Sequence, residues 1–473
     1  MDMTKLLRTK PLKRLLADTE QEGKRLKKAL NAWDLTAIGI GCIIGVGIFV
    51  LPGVEAAKHA GPGIILSFAV AALACACSAL CYAELAAMIP VSGSAYTYGY
   101  ATLGEIIAWI IGWDLILEYM VGASLVAIGW SAYLVNLLEN MGINPPHALT
   151  AAPFGENPGL FDLPAALIVL LLTWLLVRGI KESSRVNLIV VIIKVAVILF
   201  FIVLTVWYVK PENWKPFAPF GWGGIMTAAA IVFLAYVGFD AVSTTAEEAV
   251  NPQKDLPIGI MTSLVVATSL YMAVAAIMTG IVPYQKLGVA DPIALVLNVL
   301  KMGWASAIIS VGAIAGITSV LLVLLLGQPR ILFAMSRDGL LPGFLARVHR
   351  RFHTPHWATM MTGLIVAVAA ALTPINVVAE LCSIGTLFAF MIVCAGVIVL
   401  RYTRPEINRP FRVPFTPVLP GIGIILCGYL MSNLPFVTWM RFLVWLLIGL
   451  VIYGFYGFNR SLLNGVDSSE HAE

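Results

Sequence analysis

The fold of this chain is decided by the run GIGCIIGVGIF at Gly39–Phe49, which lies inside the first long hydrophobic segment. A second run, FLAYVGFD at Phe233–Asp240, interrupts another hydrophobic segment much further along the chain. In a lipid bilayer every backbone N–H and C=O group needs a partner within the protein, so a segment leaves the helix only where it lines a cavity. The two runs therefore predict a pair of broken helices around a cavity that holds something polar.

The composition is that of an integral membrane protein. The chain has 473 residues, of which 60% are hydrophobic and 12% charged, whereas about a quarter of the residues in a soluble domain are charged. Its apolar segments begin near residues 35, 63, 103, 164, 186, 222, 257, 303, 356, 376, 416 and 440. Each is long enough to supply the roughly 20 residues of a membrane-spanning helix. We expect an all-α protein with twelve transmembrane helices.

Lysine and arginine set the orientation. The N-terminal stretch is rich in both and lacks the pattern of a signal peptide. With both termini in the cytoplasm of a plasma-membrane protein, most basic residues fall inside, as the positive-inside rule requires. The exceptions are Lys58, Lys210, Lys215, Lys286, Lys301 and Arg441. The net charge of +4 follows from this bias, so it predicts lipid contact and no nucleic-acid partner.

The positions of the two interruptions divide the chain. Gly45 follows about ten residues after its segment enters the membrane and Gly238 about thirteen after its own, so both fall near mid-membrane. Two five-helix halves of opposite topology, each opening with a broken helix, are typical of inverted-repeat transporters. We expect a cytoplasmic amphipathic segment at 1–34, repeats at 35–209 and 210–401, two peripheral helices in 402–459 and a cytoplasmic tail at 460–473.

A broken helix offers groups that suit a zwitterion. Its second half begins with free N–H groups that bind anions, and its first half ends in free carbonyls. In the first break we expect the backbone around Ile43, Ile44, Gly45, Val46 and Gly47 to hold a carboxylate. In the second, we expect the carbonyls of Leu234, Ala235 and Val237 to accept from an ammonium group. The predicted substrate is an α-amino acid; the alternative is that the glycines only allow close helix packing.

Three stretches carry a resemblance to a known family. They are Gly39–Phe49, the block EEAVNPQ at Glu247–Gln253, and MSRDG at Met335–Gly339. In these the chain resembles the amino acid-polyamine-organocation superfamily, and within it is most similar to the bacterial cationic amino acid transporter branch. The resemblance covers residues 30 to 460 and implies the LeuT-like inverted-repeat fold.

Ionisable side chains inside spans cost about 2.5 to 3.5 kcal/mol or more each and are functional by default. Four of them stand out here: Asp114, Glu118, Lys194 and Asp240. In relatives that the chain resembles, a lysine on the fifth helix replaces a sodium ion. The resemblance thus implies sodium-independent, proton-coupled transport through Lys194, Glu118 and Asp240.

Each of these assignments has an alternative. Lys194 would be purely structural if it formed a permanent ion pair with Asp240 or Glu118. Glu118 would be purely structural if it were hydrogen-bonded to a neighbouring helix. For Asp114, nearer the inner face, we expect a structural role. Arg330, Arg337 and Asp338 form either a gating network or simple topology-setting charge.

Substrate preference depends on three apolar positions. Leu324 stands where cation-selective mammalian relatives carry serine, Leu234 where the superfamily usually has an aromatic gate, and Val46 where many relatives have Ser or Thr. A leucine cannot bind a cation through its face as an aromatic ring does. The three residues favour small or apolar neutral amino acids, and Phe233 and Tyr236 point elsewhere on the helix.

The sequence thus predicts a secondary transporter that imports L-amino acids by alternating access, with protons, the lipid bilayer and a small accessory membrane helix as further partners. The alternatives are a proton-independent exchanger, a cationic amino acid or polyamine transporter, and an amino acid sensor. No nucleophile–base pair, P-loop or metal-ligand spacing appears in the chain, and all seven cysteines lie in apolar segments. We expect no enzyme activity, cofactor, metal or disulfide.

Overall fold

The computed structural model describes residues 8–10, 28, 30–91, 94–154, 158–178, 183–289, 292–349 and 354–465. Most of the amphipathic segment predicted at 1–34 and of the tail predicted at 460–473 lies outside these residues. So does the side chain of Val46.

The described residues form α-helices joined by short 3-10 and π turns. In chain order the helices are α1 (Ala32–Ile43), α2 (Val46–Phe49), α3 (Leu51–Glu55), α4 (Ile64–Met88), α5 (Ala95–Thr102), α6 (Glu105–Asn140), α7 (Leu163–Val177), α8 (Ser183–Thr205), α9 (Gly221–Val232), α10 (Ala241–Thr244), α11 (Pro252–Ile281), α12 (Pro292–Val299), α13 (Gly303–Arg337), α14 (His356–Leu372), α15 (Ile375–Thr403), α16 (Val418–Ser432), α17 (Phe436–Ile452) and α18 (Phe458–Arg460).

Eight helical segments of the described chain are long and apolar enough to cross a membrane, and four shorter apolar helices accompany them. The shorter ones are Ala32–Ile43, Leu163–Val177, His356–Leu372 and Val418–Ser432. Large apolar side chains such as Leu171 on α7 and Leu447 on α17 are exposed at the outer surface. A continuous apolar exterior of this kind is stable only in contact with lipid. The expectation of an all-helical, multi-pass membrane protein is confirmed.

The first interruption lies inside the run Gly39–Phe49. α1 begins at a capping box in which Asn31 accepts from the backbone of Asp34 while the Asp34 carboxylate accepts from Asn31. It ends at Ile43, because Ile44 takes an extended conformation with φ −77° and ψ 97°. The helical path resumes at Val46 as α2 and α3.

The second interruption lies inside the run Phe233–Asp240. α9 ends at Val232, a 3-10 turn covers Phe233–Tyr236, and the helical path resumes at Ala241 as α10. Gly238 between them has φ +121°, which a residue with a Cβ rarely adopts. The chain therefore needs glycine at this point to turn out of one half-helix and into the next.

Helix packing brings the two interruptions together at the centre of the molecule. α11 packs against both α1 and α4, and α8 packs against α1 and α13. The long helix α6 packs against α13 and α15 on the other side. The ionisable residues of α6 and α8 therefore approach the first break from different directions.

Candidate functional site

A cavity of about 270 Å³ lies between the two helix breaks. Its wall includes Ile43, Gly45 and Gly47 from the first break and Leu234, Ala235, Val237, Gly238 and Asp240 from the second. It extends from the exposed Lys58 to the buried Glu118 on α6. Six of the eight predicted substrate residues thus lie around one space: Ile43, Gly45, Gly47, Leu234, Ala235 and Val237. Ile44 is fully buried and does not line the cavity, and the side chain of Val46 lies outside the described part of the chain.

Two glycines allow the breaks to touch. A Cβ on Gly47 would lie 2.6 Å from the Cβ of Ala235, and one on Gly238 would lie 2.6 Å from the Sγ of Cys42. Real side-chain atoms do not approach so closely, so larger residues at either position would push the half-helices apart. The sequence analysis gave close helix packing as the alternative role of the glycines. In the structure the glycines allow close packing and also lie at the helix breaks.

Tyr271 on α11 joins the two breaks through its hydroxyl group. The oxygen lies 2.7 Å from the carbonyl oxygen of Ile43 and 2.8 Å from that of Ala235, and the ring is fully buried. The hydroxyl hydrogen is therefore shared between the two half-helix ends. Sequence analysis missed this residue; its signal was a tyrosine in mid-span, where a buried hydroxyl needs a partner.

Lys194 on α8 is fully buried and binds the end of the first half-helix. Its ammonium donates to the carbonyl oxygens of Gly41 at 2.6 Å and Ile44 at 2.9 Å. In the part of the chain that the structure describes it forms no ion pair with Asp240 or Glu118, the structural alternative considered above. A cation therefore sits where α1 presents its negative end.

Glu118 and Asp240 both line the cavity and are buried. The Tyr119 hydroxyl donates to Asp240 at 3.0 Å. The Oε2 of Glu118 has no hydrogen-bond partner among the described residues. Of the three residues assigned to proton coupling, the structure brings two to the cavity and places the third behind the first break.

Some of the backbone groups predicted to bind substrate already have hydrogen-bond partners within the protein, and others do not. The N–H of Ile44 donates to the Ile40 carbonyl at 3.0 Å, so it closes the first half-helix. Gly45 to Gly47 begin the second half, where N–H groups lack intrahelical acceptors. On the second break the Leu234 carbonyl accepts weakly from the N–H of Val237 at 3.3 Å, and each carbonyl retains a second lone pair.

Apolar side chains form the remaining wall. Leu324 and Val320 of α13 and Leu125 and Val126 of α6 line the cavity together with Leu234. The aromatic neighbours of Leu234 point away from it, as expected. Phe233 packs on Phe390, and the Tyr236 hydroxyl donates to the carbonyl of Phe68.

A group of ion pairs involves the three charges Arg330, Arg337 and Asp338. Arg330 pairs with Glu248 at 2.7 Å and Arg337 approaches Glu247 at 3.8 Å. Asp338 pairs with Lys10 at 2.6 Å and accepts from the Tyr96 hydroxyl, also at 2.6 Å. The arginines join α13 to the 3-10 turn after α10, and Lys10 joins the N-terminal residues to the end of α13. The three charges therefore do more than bias topology. Among the described residues no three His, Cys, Asp or Glu side chains form a metal-binding group.

Comparison with known proteins shows which proteins this chain resembles over most of its length. Residues 30–459 match the family model described as amino acid permease. The chain is 54% identical to the branched-chain amino acid permease BcaP of Bacillus subtilis, over 97% of this chain and 99% of that protein. It is 50% identical to the methylthioribose transporter of the same organism, over 98% and 100%. It is 34% identical to the vacuolar cationic amino acid transporter 4 of Arabidopsis thaliana, over 93% of each.

Proposed function

This chain belongs to the amino acid permease family of the amino acid-polyamine-organocation superfamily, and we propose that it imports neutral L-amino acids by alternating access. The observation that carries this proposal is the cavity bounded by both helix breaks and walled by Leu234 and Leu324. The family consists of permeases and not enzymes.

The proposed architecture has twelve spans with both termini in the cytoplasm of the plasma membrane. The first inverted repeat covers 35–209, the second covers 210–401, and two peripheral helices follow in 402–459. The eight long and four shorter apolar helices support this count. One broken helix near the start of each proposed repeat supports the inverted symmetry.

The substrate backbone would bind the two breaks. The N–H groups of Gly45 to Gly47 would hold its carboxylate, and the carbonyls of Leu234, Ala235 and Val237 its ammonium group. Residues of both sets line one cavity, namely Gly45, Gly47, Leu234, Ala235 and Val237. Each half-helix end carries the partial charge opposite to the group it would receive. A zwitterion satisfies both ends at once.

The substrate side chain would lie against the apolar wall. Burying a branched aliphatic group gains about 1.5 to 3 kcal/mol, whereas an arginine or lysine head group would meet leucines at Leu234 and Leu324. The branched-chain permease of B. subtilis agrees with this preference. The methylthioribose transporter supports a second candidate, a neutral sugar thioether, because it is almost as similar to this chain.

Proton coupling without sodium would run through Lys194, Glu118 and Asp240. The Lys194 ammonium already supplies the positive charge that the end of α1 attracts, so no sodium ion is needed there. Glu118 and Asp240 face the cavity, where they can exchange protons with the aqueous side. A proton-independent exchanger is the rival within the family.

Ligand-induced thermal stabilisation of the purified protein tests the substrate. A ligand that binds only the folded state raises its apparent stability by mass action. Leucine, isoleucine, valine or alanine should raise the Tm. Stabilisation by arginine or lysine alone would assign a cationic substrate, and stabilisation by methylthioribose alone would assign the sugar thioether.

Uptake into proteoliposomes tests the coupling. With the lumen made alkaline and no sodium present, the wild type should accumulate the amino acid above its external concentration. Glu118→Gln should lose the dependence of uptake on external pH. Uptake that needs internal amino acid and ignores the pH gradient would identify an exchanger.

A further inference from the structure

Asp114 lies in the first third of α6, and the surroundings of its buried side chain are unusual. The residue is fully inaccessible, and within the described residues neither carboxyl oxygen has a hydrogen-bond partner. Buried polar groups in proteins almost always have partners, and a charged carboxylate without one is very costly. A neutral, protonated Asp114 would avoid that cost. The sequence led us to expect a structural role for Asp114. In that role its carboxyl group would have a hydrogen-bond partner.

The next turn of the same helix carries Glu118. Residues four apart lie on one helix face, separated by about 6 Å along the axis. Glu118 lines the cavity and Asp114 does not, so Asp114 is one step further from the substrate. Asp114 also lies between Glu118 and the Glu105 end of α6, where Glu105 contacts Arg8 and the Ser461 hydroxyl. Our proposed topology puts that end in the cytoplasm.

The helix that faces the two acids presents a glycine to both. A Cβ on Gly385 of α15 would lie 3.0 Å from Asp114 Oδ1 and 3.8 Å from Glu118 Cβ. The other titratable groups near this pair are Asp240 from the second break, Cys42 from α1, Tyr82 from α4, Tyr119 from α6 and Cys382 from α15. No described cation pairs with either acid. The two carboxyl groups share one space of low dielectric constant, so they compete for the same proton.

We propose that Asp114 is a second proton-carrying residue, which relays the proton from Glu118 to the cytoplasmic side. Protonated Asp114 first releases its proton to water when the cavity opens inward. The resulting carboxylate then takes the proton of Glu118, which is left as a carboxylate. Glu118 is recharged from the external side through the cavity. One proton crosses in each cycle and both acids return to their starting state. This inference rests on the proposed proton coupling.

Asp114→Asn separates this role from a structural one. Asparagine has the shape of the protonated acid and is neutral, so a merely structural Asp114 would be replaced without loss. The matched control is Asp162→Asn, at a buried aspartate that caps α7 and accepts from Ser131. Asparagine also caps helices well.

The experiment uses proteoliposomes that contain the purified full-length protein and a trapped pH dye. Labelled alanine or leucine is supplied, and proton entry and amino acid entry are recorded together under an imposed pH gradient. Exchange of external for internal amino acid is measured on the same vesicles. For Asp114→Asn we expect proton-driven accumulation to fall about a hundredfold, the contribution typical of a positioned proton-transfer group. Exchange and ligand-induced thermal stabilisation should stay within about twofold of wild type, because neither requires net proton release.

Three outcomes overturn the inference. If Asp114→Asn accumulates amino acid and takes up protons as the wild type does, Asp114 is structural while the proposed coupling stands. If Asp114→Asn loses exchange and ligand-induced stabilisation as well, its effect is on folding or binding. If the wild type itself ignores the pH gradient, the proposed coupling and the relay fall together.

Discussion

The ammonium of Lys194 lies 2.6 Å from the carbonyl oxygen of Gly41, at the end of the first half-helix. This contact places a positive charge against the negative end of a helix dipole inside the membrane. It also gives a hydrogen-bond donor to carbonyls at the end of α1, where intrahelical donors are lacking. The lysine therefore contacts the end of the first half-helix without lining the cavity between the two breaks.

Replacing Lys194 by alanine should abolish proton-driven uptake while the protein still folds. The Gly41 and Ile44 carbonyls would lose their donor, and the break would lose its fixed charge. Uptake into proteoliposomes under a pH gradient measures the effect, with size-exclusion chromatography to verify folding. Lys254→Ala, at an exposed lysine, serves as the control. Wild-type proton-driven uptake by Lys194→Ala would rule out its role in coupling.

Tyr271→Phe should weaken both stability and substrate binding. The change removes only the hydroxyl that links the Ile43 and Ala235 carbonyls. Leaving buried acceptors unpaired costs about 1 to 3 kcal/mol, so the Tm of the ligand-free protein should fall. Thermal unfolding with and without amino acid measures both effects. Tyr429→Phe, at an exposed tyrosine, should change neither, and an unaltered Tyr271→Phe would show that the two breaks hold together without it.

Gly47→Ala should disrupt transport because of its added methyl group. That group would lie 2.6 Å from the Ala235 Cβ and 2.8 Å from the Ala235 Cα. Overpacking of this kind typically costs about 1 to 3 kcal/mol and would separate the carboxylate and ammonium sites. Gly223→Ala is the matched control, since nothing lies within 4 Å of its added Cβ. Substrate affinity should fall only in the first variant; equal affinity in both would argue against a site between the breaks.

Leu324→Ser should broaden substrate selection toward cationic amino acids. The side chain lines the cavity, and the smaller polar serine would leave room and a hydrogen-bonding group for a longer side chain. Inhibition of labelled alanine uptake by arginine and lysine measures the change. Leu364→Ser, on the exposed face of α14, controls for a general effect of serine. An unchanged inhibition profile would remove Leu324 from the residues that set specificity.

Several features of the molecule follow from local sequence. Membrane helices were predictable because twenty apolar residues in a row have few stable places other than a bilayer. The interruptions at Ile44 and Gly238 lie inside the two runs from which the helix breaks were predicted. Those runs contain glycine, which permits backbone conformations such as the φ of +121° at Gly238. Family membership was predictable from short blocks such as Glu247–Gln253, and the family match confirms it.

The sequence by itself thus determined the membrane class, the positions of the helix breaks and the presence of ionisable residues inside the membrane segments. Only the tertiary structure decided which groups meet: Lys194 binds carbonyls and not Asp240, Tyr271 joins both breaks, and Asp114 has no described partner. The physical reason is that helix breaking and burial depend on a residue and its near neighbours in the chain. Hydrogen-bond partners depend on which helix faces are packed together, and those faces come from segments far apart in sequence.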